Sequence, residues 1–170
     1  MKPQDVVVDT NAVTMQETGH SGIQFLASPE LTGSRSLAFL RGTVEGGGNI
    51  HLHAHADTEC FYILEGEMEM YQDLGGKGAW QKVRQGELAL IGSNVKHAWR
   101  NSSSLPCVCL IITGGDVFRY LLEVIEYRKN ALQQGTPRQA MLKKIKDLAT
   151  ETHGWFATPE ENAAIGLKFG

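Results

Sequence analysis

Three histidines at alternate positions are the residues of this chain best suited to chemistry. His51, His53 and His55 are separated by single residues, so a β-strand would place their imidazoles on one face, about 6.6–6.8 Å apart. Glu59 follows four residues after His55, and His97 comes later in the chain. Imidazole nitrogens combined with a carboxylate oxygen suit iron, manganese, nickel, copper or zinc. Each histidine alone is compatible with an exposed strand face, but the combination predicts a site for one divalent transition metal.

The elements that must position these residues are strands. Short β-prone segments recur from Ile23 to Thr113, separated by turn-forming clusters at 45–49, 73–78 and 101–106. Many short strands about 8–12 residues apart, with no helices between them, indicate an all-β sandwich or barrel.

Two amphipathic helices are predicted after the strands. The first begins near Asp116, a candidate N-cap, and the second extends to about Ala149 with its apolar residues three and four positions apart. The chain is therefore divided into an N-terminal arm at 1–22, a barrel at 23–113 and a C-terminal helical extension at 114–170.

The glycines around the histidines complete two spaced motifs. The first is Gly47, five residues, His53, one, His55, three, Glu59, six, Gly66; the second is Gly86, ten residues, His97, three, Asn101. In this order they resemble the two motifs of the cupin family. The second departs from the family pattern at Gly92 and Asn94, where proline and glycine are usual. Asparagine tolerates a positive φ, so a tight turn at Asn94 remains feasible.

The resemblance implies a jelly-roll barrel, also called a double-stranded β-helix, with one divalent metal in its mouth. Its ligands would be His53, His55, Glu59 and His97, and Glu59 would also transfer protons as the catalytic residue. His51 lies outside the motif; its parity assigns it to the rim of the substrate pocket or the surroundings of the metal ligands, with a surface position beside the turn as the alternative.

An apolar cavity around the metal follows from strand alternation. If the strands keep their parity, Phe61, Ile63 and Trp99 face the same interior as the ligands. We therefore predict that these three side chains line the substrate pocket.

The helical tail narrows the resemblance to single-domain cupins of the quercetin-dioxygenase-like group, since an aromatic pair, Trp155-Phe156, follows the second helix. That resemblance implies a metal-dependent dioxygenase acting on a small aromatic or cyclic enol, such as a flavonol, with dioxygen. Two alternatives stay open: a metal-dependent isomerase or lyase, and a non-enzymatic cupin that binds a small molecule.

Composition limits the partners. With 16 basic and 19 acidic side chains the net charge is −3, which gives no electrostatic footprint for nucleic acid or an anionic membrane. Three cysteines and the absence of a signal-peptide pattern favour the cytoplasm. The resemblance also implies a homodimer, with a small-molecule substrate as the other partner.

Overall fold

Two antiparallel sheets form most of the molecule. The computed structural model describes residues 7–18, 21–34 and 36–167. The strands are β1 Gln16–Glu17, β2 Ser21–Ala27, β3 Ala38–Val44, β4 Asn49–Ala54, β5 Glu59–Glu65, β6 Glu67–Asp73, β7 Ala79–Arg84, β8 Leu88–Ile91, β9 Lys96–Arg100, β10 Cys107–Thr113 and β11 Trp155–Phe156. The helices are α1 Pro29–Thr32, α2 Gly115–Gln133, α3 Arg138–Glu151 and α4 Pro159–Ala164.

The strand order confirms the predicted jelly-roll barrel with a helical tail. The larger sheet runs β1-β2-β3-β10-β5-β8, and the smaller sheet runs β11-β4-β9-β6-β7. Non-consecutive strands such as β3, β10 and β5 are neighbours, so the chain crosses repeatedly between the sheets. Consequently β4 and β9 lie side by side in one sheet, although more than forty residues separate their midpoints, while β5 lies in the other.

The core lies between the two sheets because each strand buries alternate side chains. In β3, every second residue from Ala38 to Val44 is buried. Leu40 and Ile63 of the larger sheet pack in one apolar cluster with Met68 and Trp99 of the smaller one. This cluster holds the two sheets in the positions that bring the histidines and Glu59 together.

The C-terminal segment differs from expectation in two places. Trp155-Phe156 forms β11 and pairs with β4, with Phe156 opposite His53. Asp116 is not the N-cap of α2: that position is Gly114, which has no capping side chain, and the Asp57 carboxylate accepts from the backbone N–H groups of Asp116 and Val117 instead. A side chain distant in sequence thus replaces the local cap.

The predicted arm is described only in part, because residues 1–6 and 19–20 lie outside the described residues. Val6 and His20 are among those omitted. Gln16–Glu17 form β1, which pairs with β2 at the edge of the larger sheet. None of the helices in the described ranges is long and apolar enough to cross a membrane.

The motif glycines Gly47 and Gly66 offer a matched test of the fold. Both have φ near +77°, but a Cβ added at Gly66 would lie 2.8 Å from the Pro106 carbonyl oxygen, whereas one at Gly47 would meet nothing within 4 Å. We expect Gly47→Ala to lower the free energy of unfolding by about 1–2 kcal/mol, the strain of a left-handed residue. In urea denaturation, Gly66→Ala should lower the free energy of unfolding by a clearly larger amount, because it adds a steric clash. Equal losses would contradict this account.

Candidate metal centre

Strand pairing brings two of the predicted ligands together. In the ladder between β4 and β9, His53 lies opposite His97, and their ring centroids are 4.1 Å apart. The His55 ring centroid lies 4.9 Å from that of His97. His97, which is distant in sequence from His53 and His55, therefore joins them in one cluster on the smaller sheet.

Hydrogen bonds to backbone carbonyls fix how the imidazoles present their nitrogens. The Nδ1 atoms contact the carbonyl oxygens of residues two positions away: His51 at 2.7 Å for His53, Asp57 at 2.8 Å for His55, and Val95 at 2.8 Å for His97. A carbonyl only accepts, so each Nδ1 carries the hydrogen and a neutral ring has its lone pair at Nε2. One ring nitrogen from each histidine lies within 4.8 Å of the others. Three neutral imidazoles in one tautomer can thus converge on one cation.

Glu59 enters the cluster from the opposite sheet. It begins β5, and its Oε2 lies 3.3 Å from His55 Nε2 and 3.7 Å from His97 Nε2. Its carboxylate is 5% exposed. A buried carboxylate is costly unless it is paired, and here its charge faces imidazole nitrogens from the other sheet.

The cluster shifts the pKa values of its members in opposite directions. Burial raises the Glu59 pKa, but the interactions with the His55 and His97 imidazoles outweigh it and hold that pKa at about 2. Burial lowers the pKa of His55, yet the hydrogen bond and charge of Glu59 raise it above its ordinary value. Burial and the neighbouring imidazoles His97 and His55 lower the pKa of His53 well below its ordinary value. Without a metal, the cluster therefore holds a proton between His55 and Glu59 and keeps His53 neutral.

The donor set fits a divalent transition metal. His97 is fully buried, and within the described ranges its Nε2 has no hydrogen-bond partner. Leaving such a nitrogen unpaired is unfavourable, whereas a cation at the meeting point of the three Nε2 atoms would use its lone pair. The nitrogen-rich set is suited to first-row transition metals and unsuited to calcium or magnesium.

His51 does not join the three-imidazole cluster. The β4–β9 register shifts between Ile50, which pairs with Trp99, and His53, which pairs with His97. Three residues of β4 thus span two of β9, so strict alternation fails at this point. His51 contributes its carbonyl to His53, and its place at the pocket rim stays a prediction.

The predicted pocket residues lie in the core between the sheets. Phe61, Ile63 and Trp99 are buried in one apolar cluster, and the Phe61 and Trp99 ring centroids are 4.4 Å apart. Their inward orientation agrees with the parity argument. Whether they contact a substrate stays a prediction.

A cleft of about 500 Å³ opens beside β7 and β8, which are edge strands of the smaller and the larger sheet. Its lining comes from β6, β7, β8 and the turn before β8: Met70, Gln72, Gln81, Lys82, Val83, Glu87, Leu88, Ala89 and Leu90. Gln72 is the cross-strand partner of His97 and donates from Nε2 to the Leu90 carbonyl oxygen at 2.7 Å. The wall of this cleft is therefore one strand away from a histidine of the cluster.

Sequence reasoning missed further residues around the cluster. The Phe156 ring stacks on His53, with centroids 5.4 Å apart and planes 15° from parallel. Asp57 contacts both His55 and α2. Gln72 neighbours His97 across β6 and β9. Once the strand order was known, the register between β6 and β9 could have identified Gln72. No local sequence pattern marks Phe156 or Asp57.

Comparison with known proteins agrees with this geometry. The family model described as a cupin domain matches residues 40–113. The chain contains a cupin domain. The positive φ of Asn94, 59°, shows how its second motif turns without the usual glycine. No curated protein sequence matches the chain.

Several solved structures resemble this chain in fold. A predicted oxalate decarboxylase from Thermotoga maritima is 22% identical with a TM-score of 0.57, and the match covers 64% of this chain and 98% of that one. The polyketide cyclase RemF from Streptomyces resistomycificus is 19% identical with a TM-score of 0.58, covering 66% and 80%. For the oxalate decarboxylase of Lactobacillus farciminis, 17% identical with a TM-score of 0.55, the match covers 66% of this chain but only 34% of that protein. At these identities the likeness shows the fold alone.

Metal binding should separate the histidines of the cluster from His51. We expect His97→Ala to abolish stoichiometric binding of a divalent transition metal, because it removes one of three converging nitrogens. His51→Ala is the matched control, since the backbone carbonyl that holds His53 remains. Metal content after dialysis, measured by mass spectrometry, checks this. Full occupancy in His97→Ala, or loss in His51→Ala, would contradict the arrangement.

Metal affinity should decrease as the pH is lowered, because a metal must displace the proton held at His55. The folded pKa of His55 is raised above 6.5, so its proton stabilises the metal-free fold at low pH, and that contribution is lost as pH rises through the raised value. Metal binding has the opposite pH dependence. Its affinity should weaken about tenfold for each pH unit below the raised pKa of His55. Calorimetric titration with Zn²⁺ at several pH values measures it; a pH-independent affinity would contradict the proton held at His55.

Proposed function

We propose that this chain is a metal-dependent cupin enzyme. His53, His55, His97 and Glu59 would hold one divalent transition metal, and Glu59 would also transfer a proton of the substrate. The observation that carries this proposal is the shared Nδ1 hydrogen bonding of the three imidazoles, together with ring nitrogens that lie within 4.8 Å of one another. A structural metal normally has a closed ligand shell of four, whereas a shell able to expand to five or six leaves room for a substrate.

Charge balance identifies the class of substrate. Three neutral imidazoles and one carboxylate carry a single negative charge, so a divalent cation leaves one net positive charge in a largely buried site. A monoanion would neutralise that charge, and burial strengthens the attraction. An enolate or a carboxylate of a small molecule has both this charge and an oxygen suited to the metal.

The cleft one strand away from His97 has room for such a molecule, although its lining includes none of the four metal-binding residues. Its volume of about 500 Å³ is in the range of small-molecule sites, roughly 300–1,000 Å³. Met70, Val83 and Ala89 supply apolar walls, while Gln72 supplies an amide next to the metal-binding residues. We assign Gln72 to orient the substrate.

Glu59 is the residue placed to move a proton. Its Oε2 faces two imidazole nitrogens, and the proton held between His55 Nε2 and Glu59 would be released once these nitrogens bind a metal. A bound cation would take the place of the imidazole interactions that keep the Glu59 pKa low, so Glu59 would be ionised as a ligand, whereas burial would favour its protonated form when it leaves the metal. Glu59 is therefore suited to accept a proton from an enol and to return it to the product. The metal, when bound, supplies a positive charge that stabilises the enolate.

Oxidative cleavage of an aromatic or cyclic enol by dioxygen is the reaction we favour. Decarboxylation is the second candidate, because the fold is shared with oxalate decarboxylases, whose names state that activity. Both reactions begin from an anionic oxygen substrate at a metal. They differ in whether dioxygen is consumed.

Oxygen consumption distinguishes the candidates. We expect protein loaded with Fe²⁺, Mn²⁺, Ni²⁺ or Cu²⁺ to consume dioxygen with at least one flavonol or other cyclic enol, measured with an oxygen electrode. Glu59→Gln keeps the size of the side chain but removes proton transfer, and should lower kcat about 10²–10⁴-fold.

The control is the same protein without metal, which should be inactive. Carbon dioxide release from oxalate without oxygen uptake would support the decarboxylase instead. Metal-loaded protein that converts neither class of substrate would contradict an enzymatic function and favour a binding role.

A further inference from the structure

Asp57 joins the loop of the metal-binding residues to the C-terminal helical segment. Its Oδ2 accepts hydrogen bonds from the backbone N–H groups of Asp116 at 2.9 Å and Val117 at 3.0 Å, both in the first turn of α2. Its backbone carbonyl accepts from His55 Nδ1 at 2.8 Å. One residue thus contacts a candidate metal ligand through its main chain and a 19-residue helix through its side chain.

Both contacts are chemically favourable. The first N–H groups of a helix have no partner within the helix, and a carboxylate there also interacts well with the helix dipole. The local N-cap, Gly114, has no side chain to perform this role. On the other side, an imidazole bound to a metal is oriented by the acceptor of its second ring N–H. The Asp57 carbonyl is that acceptor for His55.

The Asp57 side chain packs closely against Gly114 at the start of α2. A Cβ added to Gly114 would lie 2.2 Å from the carboxyl carbon of Asp57, although the backbone of Gly114, with φ −86° and ψ 177°, is open to any residue. A side chain at position 114 would therefore displace the Asp57 carboxylate from the start of α2. The loop between β4 and β5 is held against the start of α2.

We propose that Asp57 is a positioning residue that fixes ligand His55 against the N-terminus of α2, so that the C-terminal helical segment contributes to metal affinity. This inference rests on the proposed metal centre. When the carboxylate holds the helix, the Asp57 main chain is immobile and its carbonyl keeps the His55 ring oriented. When the carboxylate is displaced, the loop loosens and the ring loses its orientation.

A simple helix-cap role makes a different prediction. Loss of a cap alone lowers the free energy of unfolding by about 0.5–2 kcal/mol but leaves the metal-binding residues unchanged. A positioning role also changes metal affinity and the spectrum of the bound ion. Loss of a hydrogen-bond partner behind a metal ligand typically costs about 10–100-fold in affinity.

The coupling is first tested in the full-length wild-type protein. We expect Mn²⁺ or Zn²⁺ to slow hydrogen exchange of the Asp116 and Val117 amides, which donate to Asp57, measured by NMR or peptide mass spectrometry. The amide of Met141 in α3, which donates to the Pro137 carbonyl away from this junction, should be unaffected. No protection at Asp116 and Val117 in metal-loaded protein would overturn the proposal.

Variants then test the direction of the effect. Asp57→Ala and Gly114→Ala should each weaken Zn²⁺ binding by about 10–100-fold and broaden the Mn²⁺ paramagnetic resonance spectrum. Asp57→Asn should restore most of the affinity, because its amide oxygen still accepts from the helix. Asp116→Ala is the matched control, since among the described residues its side chain pairs only with exposed Arg119 in the same helix.

The outcomes separate this inference from the proposed function. If wild type binds metal and both Asp57→Ala and Gly114→Ala bind it equally well, the positioning role is wrong and the metal centre remains. If wild type binds no divalent transition metal, both are wrong. Gly114→Ala retains Asp57 itself, so it decides the question even if Asp57→Ala does not fold.

Discussion

The position of one hydrogen on each imidazole determines what this barrel can bind. A neutral imidazole has a single N–H, and in all three histidines of the cluster a backbone carbonyl accepts it at Nδ1. These carbonyls belong to residues two positions away, so strand and loop geometry alone sets the tautomer. The Nε2 atoms are then left to contact Glu59, as in His55, or to bind a cation. Any distortion of the backbone that broke these three bonds would also change the ligand set.

The barrel must meet a second requirement, which is to bring Glu59 from one sheet to histidines on the other. The distance between the sheets is set by core side chains such as Ile63 and Trp99, which are fully buried. The register shift in β4 brings Ile50 opposite Trp99 and His53 opposite His97 on the same ladder. The apolar core and the polar cluster are therefore parts of one arrangement, because the same strands supply both in alternate positions.

The sequence predicted the parts of this arrangement that depend on local pattern. Alternation and motif spacing identified the segments of β4, β5 and β9, and the positive φ at Asn94 was anticipated from its residue type. The register shift that separates His51 was not visible, since a bulge depends on pairing with another strand. Asp57 was also missed, because its partners on α2 are 59 and 60 residues away. Contacts of this kind follow from the tertiary fold and leave no periodic signal.

Without a cation, the cluster is a compromise between burial and charge. Glu59 needs a positive partner, but protonation of every imidazole would place three like charges within a few ångströms. Burial, together with this repulsion from His97 and His55, lowers the pKa of His53. A single proton shared by His55 and Glu59 neutralises the carboxylate but leaves His97 Nε2 unpaired among the described residues. A divalent cation satisfies all of these atoms at once. Its binding energy is then available to the folded state and absent from the unfolded chain, so the core gives the barrel its fold while the metal would stabilise the cluster within it.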